Sequence, residues 1–332
     1  MMEQRDFENE EVEWKVNEIP VYGTLTRPKG EDPHSAVVFV AGSGPTDRDW
    51  CSPLLPGKNG SGKLLAEALA SQGFLTLRYD KRASGPHVQE NIPKMIGKIS
   101  MQSHIDELSG AVETLISGKY TDRNNLFVLT SSEGAIHALN YHLQARVKFK
   151  GMVLTGAPGR SIGQVARSQI YNQIKFLPNK ETIMKYYDDT IATFVIGKPV
   201  VPDSSLPEGI KLLLLSLANP ANLPFSRELW TYNPSEFIPK VKEPILVIIG
   251  KKDIQTDWQA DGKALETATA NKNNMIFFYP ENANHVLKHE TRPFEKLSAA
   301  EAAVSYNAED RELDKDTLNT ILSWLIKQTR VP

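Results

Sequence analysis

Short apolar segments recur along the chain, and each is bounded by glycine, proline, asparagine or aspartate. Their apolar residues follow one another without polar residues in alternation, which is typical of strands buried on both faces of a sheet. We therefore predict strands over residues 35–40, 74–79, 126–130, 151–155, 245–249 and 275–279.

Between these strands, apolar residues recur at the spacing of amphipathic helices. The helical stripes lie within residues 64–69, 108–116, 135–142 and 318–326. Strands that alternate with helices indicate βαβ units, so we expect an α/β fold with a mostly parallel sheet and helices on both of its faces. Residues 12–16 and 19–26 alternate more clearly, and we expect them to form an antiparallel hairpin at the sheet edge.

The alternation of strands and helices breaks over residues 161–239, which are helical in pattern and rich in proline. This stretch is too long for a loop. We predict a helical cap, inserted into a core made of residues 1–160 and 240–332. An insertion after a parallel strand lies above the sheet edge where such folds bind ligands. The alternative is a packing embellishment remote from any site.

Charge and composition exclude several classes of protein. The 332 residues hold 38 Lys and Arg against 40 Asp and Glu, with no basic block, which disfavours nucleic-acid binding. No apolar run is long enough for a membrane span, and residues 1–13 do not have the pattern of a signal peptide. Cys51 is the single cysteine, so neither an intrachain disulfide nor a cysteine zinc site can form. We expect a soluble, cytoplasmic protein.

The segment most informative about chemistry is a predicted strand followed by T-S-S-E-G at residues 130–134 and then a helix. In a nucleophile elbow, a serine occupies a strained turn between strand and helix, and small residues two positions away let the two elements approach. Gly134 meets this requirement for Ser132, whereas Thr130 stands where a glycine is usual. Ser131 competes on the same turn, and a helix N-cap is the structural alternative.

A carboxylate and an imidazole follow later strands. Asp253 comes just after one predicted strand and His285 just after the next, so the chain order is that of α/β-hydrolases. In such a triad, His285 takes the proton of Ser132 and Asp253 holds the tautomer of the ring. Asp257 and His289 are local alternatives.

The first long predicted strand runs into the glycine-rich turn A-G-S-G-P at residues 41–45. Such a turn can aim a backbone N–H at a developing oxyanion, and the residue after the nucleophile supplies the second donor. We expect these two donors to be the backbone N–H groups of Ser43 and Glu133. An ordinary turn would explain the glycines equally well.

Four segments together resemble the bacterial α/β-hydrolase family of serine carboxylesterases, in the branch that carries H-G-S-G-P-x-D-R-D, R-Y-D-K-R-G, G-H-S-E-G and a late N-H. They read here A-G-S-G-P-T-D-R-D at 41–49, R-Y-D-K-R-A at 78–83, T-S-S-E-G at 130–134 and N-H at 284–285. The resemblance implies the α/β-hydrolase fold, a helical cap between the sixth and seventh main strands, and hydrolysis of carboxylic esters.

The chain departs from the family pattern at four positions. Ala41, Ala83, Thr130 and Ser131 stand where the family has His, Gly, Gly and His. All four lie in the presumed site or the turns around it. Thr130 crowds the helix that follows the elbow, so we expect altered backbone geometry at the elbow or a reduced rate.

Two other patterns are set aside. Residues 57–63 match G-x-x-x-x-G-K, but Leu64 follows where a phosphate-binding loop needs Ser or Thr, and no strand precedes. His285 and His289 have a metal-like spacing, but the glutamate of H-E-x-x-H is missing, so no metal is expected.

The sequence thus predicts a serine carboxylesterase that hydrolyses small-molecule esters through an acyl-enzyme and needs no cofactor. A thioesterase, amidase or peptidase would use the same triad, because the pocket under the cap determines the substrate. The alternative from another class is a hydrolase-fold protein that has lost turnover and acts as a binding module. The sequence gives no oligomeric state.

Overall fold

A computed structural model describes residues 6–30 and 32–330; residues 1–5, Glu31 and 331–332, which include the outer ends of the predicted core, lie outside the described residues. The described residues form an eight-stranded sheet in the order β1-β2-β4-β3-β5-β6-β7-β8. The strands are β1 (Phe7–Val16), β2 (Ile19–Pro28), β3 (His34–Val40), β4 (Leu75–Tyr79), β5 (Thr121–Ser131), β6 (Gly151–Thr155), β7 (Ile245–Ile248) and β8 (Met275–Phe278).

Strand direction matches the sequence pattern. Strands β3 to β8 run parallel to one another. Strands β1 and β2 form an antiparallel hairpin at one edge, and β2 joins β4 antiparallel. The predicted α/β class, the mostly parallel sheet and the edge hairpin are therefore confirmed.

The helices are α1 (Ser61–Ser71), α2 (Val88–Met95), α3 (Met101–Ser117), α4 (Gly134–Gln144), α5 (Ile162–Ile174), α6 (Lys180–Val195), α7 (Glu208–Leu217), α8 (Phe225–Thr231), α9 (Pro234–Phe237), α10 (Ala260–Ala268), α11 (Ala299–Ser305) and α12 (Lys315–Thr329). The four predicted stripes lie in α1, α3, α4 and α12. Within residues 6–30 and 32–330, no helix has both the length and the apolar character needed to cross a membrane.

The core has two layers of side chains, one on each face of the sheet, because successive strand residues point to opposite faces. Val38 and Val128 belong to the buried cluster that packs against α3 and α4. Phe39, from β3, belongs to the opposite cluster with Leu65 of α1 and Ile321 of α12. Helices pack on both faces of the sheet and hold the strands in place. The loops at the carboxyl ends of the strands therefore begin at fixed positions.

Helices α5 to α9 lie between β6 and β7 in the chain. Helices α5 to α8 share an apolar cluster of their own, which includes Ile170, Tyr187 and Phe194. This helical unit contacts the core through α8, where Glu228 accepts a hydrogen bond of 2.7 Å from the backbone N–H of Met101. The division into a core and a cap at residues 161 and 239 stays a prediction.

Candidate active site

The chain makes a strained turn between β5 and α4. Ser132 has a φ of 51°, which is uncommon for a residue other than glycine. Its backbone N–H donates a 2.8 Å hydrogen bond to Thr155 O at the end of β6. Such backbone strain costs on the order of 1–3 kcal/mol and persists only where neighbouring structure enforces it. Ser132 is partly exposed whereas Ser131 is buried, so Ser132 is the serine of this turn that a ligand can reach.

The close approach of α4 to β3 explains the glycine two residues after Ser132. A Cβ on Gly134 would lie 2.4 Å from Val40 O and 2.8 Å from Ala41 O. Thr130, two residues before Ser132, lies within β5 in register with Val40 and Leu154, and its side chain is buried. Its backbone is ordinary strand, so the expected change in geometry is absent at this position.

Asp253 and His285 form a buried pair. Asp253 Oδ2 lies 2.8 Å from His285 Nδ1. The other carboxylate oxygen, Oδ1, accepts hydrogen bonds from the backbone N–H groups of Gln255 at 2.7 Å and Thr256 at 2.9 Å. Both oxygens therefore have fixed partners, and the contact at Nδ1 leaves the Nε2 of the ring for another group.

The end of β6 brings this pair close to the strained turn. Gly156 follows Thr155, the residue that accepts the hydrogen bond from Ser132. A Cβ on Gly156 would lie 3.1 Å from Cε1 and 3.2 Å from Nδ1 of His285, so the ring rests on this glycine. Within the described residues no hydrogen bond joins Ser132 to His285; such bonds often tighten only in a substrate complex.

The loops that carry Asp253 and His285 also pack on each other. A Cβ on Gly250 would lie 2.0 Å from Ala283 O, and Lys252 N donates to the same oxygen at 3.1 Å. The absence of a side chain at Gly250 therefore lets the two loops pair directly, which stabilises the position of both functional side chains.

The two local alternatives have other partners. Asp257 Oδ1 accepts hydrogen bonds from the backbone N–H groups of Gln259 and Ala260 at 2.9 and 3.2 Å, beside the start of α10. His289 Nδ1 lies 3.0 Å from Asp314 Oδ2, at the start of α12. The polar atoms of both residues thus serve local helix starts and not the pair of Asp253 and His285.

The glycine-rich turn after β3 lies against the elbow. A Cβ on Gly42 would lie 3.2 Å from Ser131 O and 3.4 Å from Ser132 Cβ. In the part of the chain that the structure describes, the backbone N–H groups of Ser43 and Glu133 donate no hydrogen bond. Both groups flank the elbow.

The side chains of Glu133 and His137 form a buried polar pair under the elbow, and the sequence reasoning missed this pair because it used only the backbone of Glu133. Oε1 of Glu133 lies 3.1 Å from Nε2 of His137, one helical turn further along α4. Burial raises the pKa of the Glu133 carboxyl, but the His137 hydrogen bond and the charge of Lys81 outweigh burial and lower it to about 2. Burial lowers the pKa of His137 to about 4, so a neutral ring donates to an ionised carboxylate at pH 7.

Further side chains continue from this pair towards the helical unit. The rings of His104 and His137 have centroids 4.5 Å apart, and Phe225 of α8 lies 4.5 Å from His104. Arg82 Nε donates to Glu107 Oε1 at 2.8 Å in the same region. The signal available in the sequence was the unusual density of charge at residues 80–82, directly after a buried strand. Among the described residues, no three His, Cys, Asp or Glu side chains are grouped as metal ligands.

Comparisons with known proteins find similarity to hydrolases. The family described as serine aminopeptidase S33 matches residues 59–184. These residues include the elbow but neither Asp253 nor His285. Esterase EstD of Thermotoga maritima is 25% identical over 323 residues, which is 96% of this chain and 68% of that protein.

Solved structures at lower identity share the fold. Proline iminopeptidase of Mycobacterium smegmatis aligns with a TM-score of 0.56 at 15% identity, over 96% of this chain and 98% of its own. The Pyrococcus furiosus esterase Pf2001 aligns with a TM-score of 0.54 at 15% identity, over 97% and 93% of the two chains. This chain spans 62% of the 2,6-dihydroxy-pseudo-oxynicotine hydrolase, which aligns over 83% of this chain with a TM-score of 0.51 at 15% identity.

The parallel sheet, the strained serine turn and these similarities point to the same enzyme class and fold. They support a serine hydrolase, and the chain has the α/β-hydrolase fold.

Proposed function

We propose that this protein is a serine carboxylesterase that hydrolyses small carboxylic esters. The observation that carries the proposal is the 2.8 Å contact between Asp253 and His285, held against the end of the same strand, β6, that accepts the backbone hydrogen bond of Ser132. A serine, an imidazole and a carboxylate around one strand end have the composition of a nucleophilic triad.

The proposed reaction has two steps. Ser132 Oγ attacks the ester carbonyl while His285 Nε2 takes its proton, and the same proton then passes to the departing alcohol. Water, activated by His285 in turn, attacks the acyl-enzyme and releases the acid. Asp253 keeps the proton of the neutral ring on Nδ1, so that Nε2 stays free to act as the base.

Negative charge develops on the carbonyl oxygen in both steps. The backbone N–H groups of Ser43 and Glu133 are the proposed donors to this oxyanion, since they flank the elbow and have no other acceptor among the described residues. Preorganised donors of this kind commonly contribute the largest share of rate acceleration in acyl transfer.

The choice of an ester substrate is supported by the relative named as an esterase, which aligns along nearly the whole chain. Helices α5 to α9, in the predicted cap of residues 161–239, would close the sheet edge over a small molecule. The second candidate is a peptidase that releases N-terminal residues, and it is favoured by the matching serine aminopeptidase family and by the likeness to proline iminopeptidase.

A fluorophosphonate probe, followed by mass spectrometry, tests the nucleophile, and p-nitrophenyl esters beside aminoacyl p-nitroanilides test the substrate class. We expect an adduct on Ser132, faster turnover of esters, and loss of both adduct and turnover in Ser132→Ala. The matched control is Ser131→Ala, which removes the neighbouring buried hydroxyl and should keep turnover.

Folded protein with neither adduct nor turnover would overturn the proposal and favour a binding module. Faster turnover of the anilides would favour the peptidase instead.

A further inference from the structure

Lys81 is a buried cation beneath the glycine-rich turn of residues 41–45. It follows β4 by two positions, and 6% of its surface is exposed. Its Nζ donates hydrogen bonds of 2.6 Å to Gly42 O and 2.8 Å to Gly44 O. Burial lowers the pKa of Lys81, while the nearby carboxylates of Glu133 and Glu107 act in the opposite direction. A buried ammonium group that bonds two backbone carbonyls is an unusual way to support a turn.

The two carbonyls bracket Ser43, and one of them belongs to the peptide group that matters for the proposed chemistry. Gly42 C=O and Ser43 N–H are opposite ends of one planar, conjugated amide. A cation at the oxygen end draws electron density from the nitrogen, which makes its N–H a stronger donor. The second bond, to Gly44, holds the turn on the other side of Ser43.

We propose that Lys81 is a positioning residue of the oxyanion hole, which orients and polarises the peptide between Gly42 and Ser43 so that Ser43 N–H binds the developing oxyanion more strongly. The inference rests on the proposed function, since it needs an oxyanion to act upon. Lys81 itself touches neither the substrate nor the reacting atoms.

The neighbouring cation offers a matched comparison. Arg82 is also buried, and it bonds Glu107 together with the backbone carbonyls of Val16 and Ser103. None of these partners belongs to the turn. Replacing Arg82 with methionine therefore removes an equally buried charge from the same segment without changing the peptide that carries the oxyanion donor.

The experiment compares Lys81→Met, Lys81→Gln and Arg82→Met with the unmodified enzyme on a p-nitrophenyl ester and on its thionoester counterpart. Sulfur accepts hydrogen bonds weakly, so the ratio of kcat/KM between the two substrates reports how strongly the oxyanion donors act. Titration with the fluorophosphonate probe normalises kcat to intact sites, so a fraction of misfolded protein does not affect the result.

Removing one oxyanion donor costs about 10²–10³ in kcat, so weakening one should cost about tenfold. We expect Lys81→Met to lower kcat for the oxygen ester by about that factor with little change in KM, and to lower the substrate ratio in parallel. Lys81→Gln keeps N–H donors without the charge, and its substrate ratio should lie between those of Lys81→Met and the unmodified enzyme. It also serves as the test if Lys81→Met does not fold. Arg82→Met should lose stability and keep the ratio of the unmodified enzyme.

An unchanged ratio in the folded Lys81 variants, or an equal fall in Arg82→Met, overturns the inference while the proposed function stands. An unmodified enzyme that neither labels at Ser132 nor hydrolyses either ester overturns the proposed function, and the role of Lys81 with it.

Discussion

Replacing Asp253 with asparagine should place the amide in a single orientation. Oδ1 of Asp253 accepts from two backbone N–H groups, those of Gln255 and Thr256. An amide NH₂ at the position of Oδ1 would face two N–H donors. The amide oxygen must therefore occupy this position, and the NH₂ must face His285. Nδ1 of His285 then has to accept a hydrogen bond, which moves the ring proton to Nε2, the atom that should act as the base.

The wrong tautomer cannot take the proton of Ser132, so the loss should approach the roughly 10⁴-fold seen when a triad aspartate becomes asparagine. At 1.36 kcal/mol for each factor of ten, this corresponds to about 5 kcal/mol of transition-state stabilisation. Because the backbone donors keep an acceptor, the fold should survive, with Tm changed by only a few degrees. The measurement is steady-state kcat on a p-nitrophenyl ester, beside a thermal melt.

The matched control is Asp257→Asn. It makes the same chemical change at a carboxylate whose hydrogen-bond partners among the described residues are the N–H groups of Gln259 and Ala260, both bound through Oδ1. It should keep kcat within about twofold, since surface changes remote from the site have small effects. If Asp253→Asn keeps more than a tenth of the activity while folded, the tautomer argument is wrong and another carboxylate must orient the ring.

Three further changes test the packing around the elbow. Gly134→Ala should lower the free energy of unfolding by about 1–3 kcal/mol through the clash with β3, whereas Gly209→Ala, where a Cβ meets nothing within 4 Å, should be neutral or stabilising in the same denaturant titration. Thr130→Gly should reduce stability without raising kcat, because the strand at this position is regular; a faster enzyme would show that the threonine limits the rate. His137 has a pKa of about 4 in the folded state against an ordinary 6.5, so the unfolded state binds its proton first as the pH falls. Stability should therefore drop between about pH 6.5 and 4, by at most about 3 kcal/mol, and parallel curves of Tm against pH for the protein and His137→Gln would contradict this reasoning.

The sequence predicts the fold well wherever burial is apolar. Each run that is apolar on both faces became a parallel strand, and the alternating hairpin became the antiparallel edge. Strand β5 begins at Thr121, five residues before its predicted start at residue 126, because polar residues 122–125 continue the strand beside a register shift between Ser35 and Ala36. Because these residues are polar, the pattern of apolar positions did not indicate that they belong to the strand.

Helix α10 was missed for a related reason. Its buried face includes Asp261, whose Oδ1 accepts hydrogen bonds from the backbone N–H groups of Gly159 and Arg160, both at 3.1 Å. The fully buried residues of α10 are Asp261, Gly262 and Leu265, so only one of them is a large apolar residue. The pattern of apolar residues therefore cannot reveal it.

The candidate site also has one part that the sequence pattern predicts and one part that it does not. The order of Ser132, Asp253 and His285 after three separate strands, β5, β7 and β8, can be read from the sequence, because parallel strands end at one edge. The contacts of Lys81 and His137 cannot be predicted from the sequence, because they depend on how the turn after β4 packs against α4 beneath the elbow.

The long segment between β6 and β7 has a consequence for synthesis. Strand β6 (Gly151–Thr155) is synthesised well before β7 (Ile245–Ile248). Until β7 emerges from the ribosome, the edge of β6 that pairs with β7 has no partner. A nascent chain thus presents an open, apolar strand edge while residues 156–244 are being made, and such edges pair readily with other chains. A substitution that slows the folding of α5 to α9 would therefore lower the yield of soluble protein without altering the specific activity of the molecules that finish.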